Sequence, residues 1–294
     1  MGKKIKESSS ISTYNIIQRE FTRDIGAMIA VGVVVFAVLS VLIVPFFIDH
    51  EWALSVNPRR LNLPPSSEHW LGTEIGGRDV FAFLVVGTRS SLTIALAVTL
   101  MTAAIGVTLG VISGYFGGRF DNIVMRVVDF VSTLPALVMI IAFLAIFPGF
   151  SVIRFSLVMT FFLWVGIMRL VRARSIQEKE LEYIQASKTL GTPHYKIIIK
   201  ELLPNISSIV IVNLTLNMAA NVGLETGLSF LGFGFPFDEP SLGTLIARAS
   251  DPVVMQHRWW IWIPAALVVL VLMLAINTIG RTLNRATDAR QRRG

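Results

Sequence analysis

Six long apolar runs, separated by polar segments, dominate this chain. Each run has about 20 residues, the length that an α-helix needs to cross the hydrocarbon core of a bilayer. A membrane β-barrel would show short segments of alternating polarity instead, and the sequence has none. We therefore predict an all-α polytopic membrane protein with six transmembrane helices. The helices are expected at residues 27–48, 90–113, 125–147, 153–171, 206–228 and 259–279.

The polar segments predict the organisation of the rest of the chain. In order, its parts are an N-terminal segment (1–26), the first transmembrane helix (27–48), an extracytoplasmic segment (49–89), a transmembrane core (90–281) and a basic tail (282–294). The core contains a charged insert at 182–205 and a second outer segment at 232–258. Neither outer segment resembles a folded domain, so both are expected to cap the helical bundle.

Composition also indicates a membrane protein. Of the 294 residues, 53% are hydrophobic and 15% are charged, and the mean hydropathy is +0.67. Soluble domains carry about 25% charged residues. The net charge of +7 suits basic loops on the cytoplasmic side of a membrane better than a nucleic-acid partner. Because cysteine is absent, disulfides and thiolate sites are excluded, and the four scattered histidines predict no metal site.

The distribution of basic residues predicts the orientation. Most of the 26 Lys and Arg residues fall in segments that share one side with the N-terminus. Basic residues are enriched in cytoplasmic loops, so both termini and the insert at 182–205 are predicted to be cytoplasmic. Trp259, Trp260 and Trp262 then lie at the outer boundary of the last helix, where indole rings are favoured.

The charged insert, which we call the elbow (residues 182–205), predicts two short helices joined by a turn. Residues 178–190 are good helix formers, and Gly191 follows where a helix ends in the left-handed conformation. Thr192 is expected to cap the second helix, with Pro193 at its first position. The elbow therefore predicts a helix–glycine–helix unit that is too short and too polar to cross the bilayer.

The second half of the elbow is expected to end before Pro204, with Asn205 capping the fifth transmembrane helix. Both halves carry apolar residues near one face. Two interpretations follow from these residues alone. The elbow is either an interfacial hairpin that lies on lipid headgroups, or an element that offers its apolar side chains to a partner.

The spacing in the elbow resembles the EAA loop of ABC-importer permeases. The sequence reads Gln185-Ala186-Ser187, three residues, Gly191, nine residues and then Glu201-Leu202-Leu203-Pro204. In the family pattern, Glu-Ala-Ala, three residues, Gly and nine residues precede Ile, any residue and Leu-Pro, so Gln185, Ser187 and Glu201 depart from it. The resemblance implies a cytoplasmic coupling helix that docks on an ATPase. The residues it assigns to this coupling are Gln185, Ala186, Ser187, Leu190, Gly191, Tyr195, Leu203 and Pro204.

Three further stretches point to one subgroup of these permeases. "HWLGTEIGGRDVFAFLVVGTRSSL" (69–92), "GYFGGRFDNIVMRVVDFVSTLPALV" (114–138) and "LETGLSFLGFG" (224–234) are similar to the C-type permease of oligopeptide, dipeptide and nickel importers. The resemblance implies a type I ABC importer permease fold in a bacterial cell membrane. It also implies a heterodimer with a second homologous permease, two cytoplasmic ABC ATPase subunits, an external substrate-binding protein and a peptide substrate.

The chain itself is not expected to be an enzyme. It has no Gly-x-x-x-x-Gly-Lys-Ser/Thr phosphate loop, so ATP and Mg would bind to the partner ATPases and no cofactor to this chain. The alternatives are the same machine carrying nickel, a metal chelate or another small solute, an ion-coupled secondary transporter, and an intramembrane hydrolase. The last two lack the midplane coupling charges or the catalytic histidine that they would need.

Several residues outside the elbow are further candidates. Gly106, Gly110 and Gly114 line one face of the second helix, where they indicate either a contact that slides during gating or static packing. Asp129 is an ionisable residue in a transmembrane segment, which makes it a candidate charge of the transport cavity. The favoured alternative is a structural pair, in which Arg126 neutralises it from the same face.

Glu225 and the pair Arg78 and Asp79 complete the candidates. Glu225, near the outer end of the fifth helix, either contacts an amino group of the substrate or orders the outer loop by hydrogen bonding. Arg78 and Asp79 either meet the binding protein, or pair with each other and cap the second helix.

Overall fold

The structure is a computed structural model that describes residues 13–46, 54–147 and 149–291. These residues form helices and connecting turns without a β-strand, which confirms the all-α prediction. The α-helices are α1 (Thr13–Arg23), α2 (Ile25–Ile43), α3 (Val80–Phe116), α4 (Gly118–Thr133), α5 (Ala136–Ile146), α6 (Val152–Lys179), α7 (Glu182–Thr189), α8 (His194–Ile197), α9 (Leu203–Phe230), α10 (Leu242–Ala247), α11 (Pro252–His257) and α12 (Trp259–Gln291).

Five helical segments are long and apolar enough to cross a membrane, and a bent pair of helices makes six if it counts as one span. The predicted third span, 125–147, is this pair: α4 and α5 meet at an angle of 81°. The single continuous helix was therefore a wrong prediction. Leu134 has an extended backbone because the ring of Pro135 disfavours a helical conformation in the residue before it.

Several helices extend well beyond their predicted ends. α3 begins at Val80 because Asp79 caps it, and α6 continues to Lys179 past the apolar run. α12 continues through most of the predicted basic tail, and α1 lies in the N-terminal segment, for which no helix was predicted. The first twelve residues and the last three lie outside the described residues. The ends of these helices are amphipathic and pack on neighbouring helices. The apolar runs alone therefore predicted helices that were too short.

α3 and α6 form the central contact of the bundle, and α9 packs on α12 and α3. α2 packs along α12. At one end of the bundle, the helix connections form the elbow. At the other end lie two segments, residues 54–79 and 231–258, that pack on the helix ends and that we call the cap. Both segments correspond to the stretches that were predicted to cover the bundle, and the side of the membrane that they face stays a prediction.

Candidate functional site

The first half of the elbow ends in a Schellman motif. The N–H of Gly191 donates to the carbonyl oxygen of Lys188 at 3.0 Å, and the N–H of Thr192 donates to that of Ser187 at 3.0 Å. Gly191 has φ +78°, a conformation that residues with a Cβ rarely adopt. The predicted left-handed glycine is therefore confirmed, and it turns the chain sharply between α7 and α8.

The second half of the elbow differs from the prediction. α8, a π-helical turn over Ile198–Leu202 and α9 form one continuous helical segment, so no break occurs before Pro204. Pro204 lacks the N–H of an α-helical bond, and the π turn accommodates it: the N–H of Leu203 donates to the oxygen of Ile198, five residues earlier. The elbow therefore leads directly into the helix that crosses the membrane.

Two predictions of helix-capping residues were wrong. Pro193, not Thr192, is the residue that precedes the second helix. Asn205 lies inside the helix and caps nothing, since its amide donates to the oxygen of Glu201 at 2.8 Å and to the hydroxyl of Tyr183 at 2.9 Å. Asn205 instead ties the first turns of α9 to α7.

Apolar side chains hold the elbow on the bundle. Ile184, Ile197 and Leu202 are completely buried. They pack in a cluster with residues of α3, α6 and α9, among them Val171 and Ile206. Both halves of the elbow are thus attached to the ends of three spanning helices.

All three departures from the EAA pattern make hydrogen bonds within this region. The hydroxyl of Ser187 donates to Oε1 of Glu201 at 2.8 Å. The amide of Gln185 donates to the carbonyl oxygen of Lys179, near the end of α6, at 2.7 Å. An ionised Glu at position 185 could not donate this bond. The departures therefore form contacts inside the chain.

Two aromatic hydroxyls add further connections. The hydroxyl of Tyr183 donates to the carboxylate of Glu178, and the hydroxyl of Tyr115, at the end of α3, lies 2.8 Å from Nδ1 of His194. Partial burial, together with the neighbouring Glu178, raises the pKa of Tyr183 above its usual value, so its hydroxyl keeps its proton at neutral pH.

The outer surface of the elbow carries exposed apolar side chains beside polar and charged ones. Leu190 is 86% exposed, and Tyr195 and Ile199 are also exposed. Gln185, Ala186 and Pro204 share this exposure, whereas Ser187 and Leu203 are half-buried. The sequence-predicted coupling residues thus separate into those that face solvent and those that connect the elbow to the bundle. Ile199 also lies on the exposed side, although it is not among the predicted coupling residues.

The glycines of α3 lie against α6, as a close helix contact requires. A Cβ added at Gly106 would lie 3.0 Å from the oxygen of Trp164, and one at Gly110 would lie 2.8 Å from the oxygen of Met168. At Gly114 it would lie 2.6 Å from Cβ of Ser175. The backbones of α3 and α6 therefore approach so closely that only glycine fits.

The predicted pairing of Asp129 with Arg126 was wrong. Asp129 accepts a hydrogen bond from Arg169 of α6 at 2.8 Å, and Arg126 is exposed. The sequence could not identify this partner because it lies 40 residues away. A second pair, Asp121 with Arg172, also joins α4 to α6 and was missed for the same reason.

Glu225 is completely buried between helices. Its Oε1 accepts a hydrogen bond from the hydroxyl of Ser229 at 2.8 Å, and that hydroxyl accepts one from the N–H of Phe235 at 3.2 Å. Ser91 of α3 accepts a bond from the N–H of Leu242 at 3.4 Å in the same region. This geometry suits the hydrogen-bonding interpretation, since Glu225 is connected to the loop that follows α9.

Arg78 and Asp79 do not pair with each other, so that part of the prediction was wrong. Asp79 accepts the N–H of Ala82 at 2.9 Å, which caps α3 as predicted, and its other oxygen lies 2.7 Å from Nδ1 of His69. Arg78 donates to the backbone oxygen of Asp238 at 2.8 Å and to its carboxylate at 3.1 Å. Arg78 thus joins the two segments of the cap.

A buried carboxylate that sequence reasoning missed lies beside Arg78. Glu74 is completely buried, 3.8 Å from Nε of Arg78 and 3.4 Å from Nη2 of Arg248. Burial lowers the pKa of Arg248, and the charge of Glu74 offsets part of this effect. The three side chains form an ion-pair cluster between the cap segments. Among the residues that the structure describes, no group of three or more His, Asp and Glu side chains could hold a metal ion.

Comparison with known proteins agrees with this architecture. The family described as "Binding-protein-dependent transport system inner membrane component" matches residues 106–293. An oligopeptide transport system permease protein of Lactococcus lactis subsp. cremoris (strain SK11) is 45% identical over 287 residues, 97% of this chain and 98% of that protein. A dipeptide transport system permease protein of Bacillus subtilis (strain 168) is 37% identical over 269 residues, 91% of this chain and 82% of that protein. The chain belongs to the family of binding-protein-dependent transport system inner membrane components.

Proposed function

We propose that this chain is a C-type permease subunit of an ATP-driven peptide importer in a bacterial cell membrane. The observation that carries the proposal is the elbow, which offers exposed apolar side chains outward and is attached inward to three spanning helices. Such an element suits a separate ATPase that binds its outer surface. Binding energy at that surface can shift the helices between two arrangements.

The mechanism is alternating access. Closure of two partner ATPases, which bind ATP and Mg, moves the elbow, and α3, α6 and α9 follow because Ile184, Ile197 and Leu202 are packed among them. The spans then open a shared cavity towards the outside, where an external binding protein releases its cargo. Hydrolysis of ATP returns the subunits to the inward-facing state. The cavity would form between this chain and a second, homologous permease subunit.

A peptide is the proposed cargo. The relatives with 45% and 37% identity are named for oligopeptide and dipeptide transport, and they align with nearly the whole chain. A nickel or metal-chelate cargo has less support, because those names point to peptide transport. Uptake of a radiolabelled peptide, compared with uptake of ⁶³Ni²⁺, separates the two cargoes.

We also propose that both termini and the elbow face the cytoplasm and that the cap faces outward. The excess of Lys and Arg on the elbow side supports this orientation. The exposed indole of Trp259, at the cap end of α12, suits the opposite interface. The cap would then be the surface that the binding protein meets.

Single-cysteine crosslinking tests the proposal, because the natural chain has no cysteine. Leu190→Cys places one thiol on the outer surface of the elbow, and Val56→Cys, an exposed position of the cap, is the matched control. In native membranes we expect a thiol-reactive photocrosslinker at position 190 to capture an ATPase subunit and the one at 56 to capture none. Capture from position 56 alone, or a thiol at 190 that only extracellular reagents reach, would contradict the proposal.

A further inference from the structure

The Ser187–Glu201 hydrogen bond links the two halves of the elbow across the turn at Gly191. Its donor lies on α7, and its acceptor lies in the π turn that leads into α9. The bond is 2.8 Å long, partly buried, and joins residues fourteen positions apart. A partly buried hydrogen bond to a carboxylate is stronger than one between neutral groups in water.

The backbone connection between the two halves has little side-chain support. A Cβ at Gly191 would meet no described atom within 4 Å, and Leu190 is almost fully exposed. The turn itself is therefore held by its two backbone hydrogen bonds rather than by side-chain packing. A force on the outer surface of α7 also reaches α9 through side chains, namely the buried apolar cluster and the Ser187–Glu201 bond.

The other polar connections are weaker candidates for this role. The Tyr183–Asn205 bond also joins α7 to α9, but it is exposed to solvent, where competing water reduces its net contribution. The second oxygen of Glu201, Oε2, is buried without a hydrogen-bond partner among the described residues. Ser187 is thus the side chain that satisfies this carboxylate, and its loss would leave Glu201 without a side-chain partner in a partly buried site.

We propose that Ser187 and Glu201 are positioning residues for coupling: their hydrogen bond makes the elbow move as one unit, so that displacement of α7 is passed to α9. This inference rests on the proposed function, since it assumes that an ATPase displaces the elbow. The bond then has a mechanical role in addition to any contribution to folding. Its loss should reduce the amount of cargo moved for each ATP hydrolysed.

The test uses the complete transporter, with both permeases, the ATPases and the binding protein, in proteoliposomes. The readout is the ratio of radiolabelled tetrapeptide taken up to ATP hydrolysed, which is measured on assembled complexes and is independent of yield. Ser187→Ala is expected to lower this ratio roughly 5-fold or more, the smaller end of typical coupling effects. Ser207→Ala is the matched control, because its hydroxyl bonds only within α9, to the oxygen of Pro204.

Changes at Glu201 give an independent test. Glu201→Gln keeps an oxygen that accepts from Ser187, so the ratio should stay within about twofold of the natural protein, whereas Glu201→Leu should lower it as much as Ser187→Ala. The double variant Ser187→Ala/Glu201→Leu should be no worse than either single variant, because both remove the same bond.

Two outcomes would overturn the inference while leaving the proposed function intact. One is a ratio of uptake to ATP hydrolysis in Ser187→Ala and Glu201→Leu that equals the ratio of the natural protein. The other is a loss in the double variant that equals the sum of the two single losses. Failure of the proposed function has a different signature: the unmodified complex would take up no tetrapeptide, or the thiol at position 190 would capture no ATPase.

Discussion

The guanidinium of Arg172 donates two parallel hydrogen bonds to the carboxylate of Asp121, at 2.5 and 2.6 Å, and so fastens α4 to α6. The hydroxyl of Ser113, on α3, donates to the same carboxylate at 2.7 Å. One carboxylate therefore joins three helices near the elbow end of the bundle. Asp121 is buried, so water cannot readily replace these partners.

Arg172→Lys should destabilise the subunit although it keeps the positive charge. An ammonium group cannot make the forked pair of bonds, and the loss should be about 1–3 kcal/mol in the free energy of unfolding. Arg169→Lys is the matched control one turn earlier, since its bond to Asp129 is exposed and should matter by less than about 1 kcal/mol. Thermal unfolding of the purified complex in detergent measures both. Equal shifts for the two variants would contradict a special role for Arg172.

Gly110→Ala should also destabilise the bundle. The new Cβ would lie 2.8 Å from the oxygen of Met168 and from Cβ of Val171, so α3 and α6 would have to separate, at a cost of about 1–3 kcal/mol. Gly166→Ala is the control, because its Cβ would meet no described atom within 4 Å and alanine favours the helix. The measurement is again thermal unfolding, with peptide uptake recorded beside it.

Uptake in Gly110→Ala also separates the two interpretations of the glycine face. If the contact is static, activity per folded complex is retained and only stability falls. If the contact slides during gating, uptake per ATP falls even in complexes that remain folded at the assay temperature. Both interpretations require the close approach that Gly106, Gly110 and Gly114 make possible.

The sequence predicted the elements that depend on local chemistry. Apolar runs of sufficient length located the spans, and the glycine pattern located the α3 face that packs closely. Gly191 was predicted to be left-handed because its helix-ending position is recognisable without tertiary contacts. The bend at Leu134 was visible in principle, since a residue before proline avoids the helical conformation, but the apolar run around it outweighed that signal.

The failures concern partners that are distant in sequence. Asp129 pairs with Arg169 of another helix, and Arg78 pairs with Asp238, 160 residues away. Nearest neighbours of opposite charge were the wrong choices because helix packing, not sequence spacing, decides which charges meet. The break expected at Pro204 was wrong because a π turn satisfies the backbone there, and that turn depends on the packing of the elbow.

Gly191→Ala should uncouple ATP hydrolysis from uptake without preventing membrane insertion. A Cβ at φ +78° costs about 1–2 kcal/mol, which favours an altered turn and a displaced α7. Gly118→Ala introduces the same kind of strain, at φ +64° and with no described atom within 4 Å, but outside the elbow. Uptake per ATP should therefore fall in Gly191→Ala alone, while immunoblots of membranes show equal amounts of both variants.

Gly191→Pro should have a stronger effect than alanine. Proline cannot adopt a positive φ, and it also removes the N–H that donates to Lys188. Normal uptake per ATP in both Gly191 variants would show that the geometry of this turn does not govern coupling.

Glu225→Gln tests whether the buried carboxylate binds the cargo or orders the loop after α9. The glutamine keeps an oxygen that can accept from Ser229, so uptake of a peptide with a free amino terminus should change by no more than about twofold. Glu225→Ala removes the acceptor and frees Ser229, which also accepts the N–H of Phe235, so uptake should fall well below that of Glu225→Gln.

The peptide itself provides the control for this last prediction. If the carboxylate met the amino group of the cargo, Glu225→Gln would abolish uptake of the free-amino peptide and leave uptake of its N-acetylated form unchanged. The complete burial of Glu225 argues against this result, because a cargo amino group could reach it only after the surrounding helices had separated. Equal responses of the free and acetylated peptides to both variants would therefore assign Glu225 to the loop, and Ser229→Ala should then reproduce the defect of Glu225→Ala.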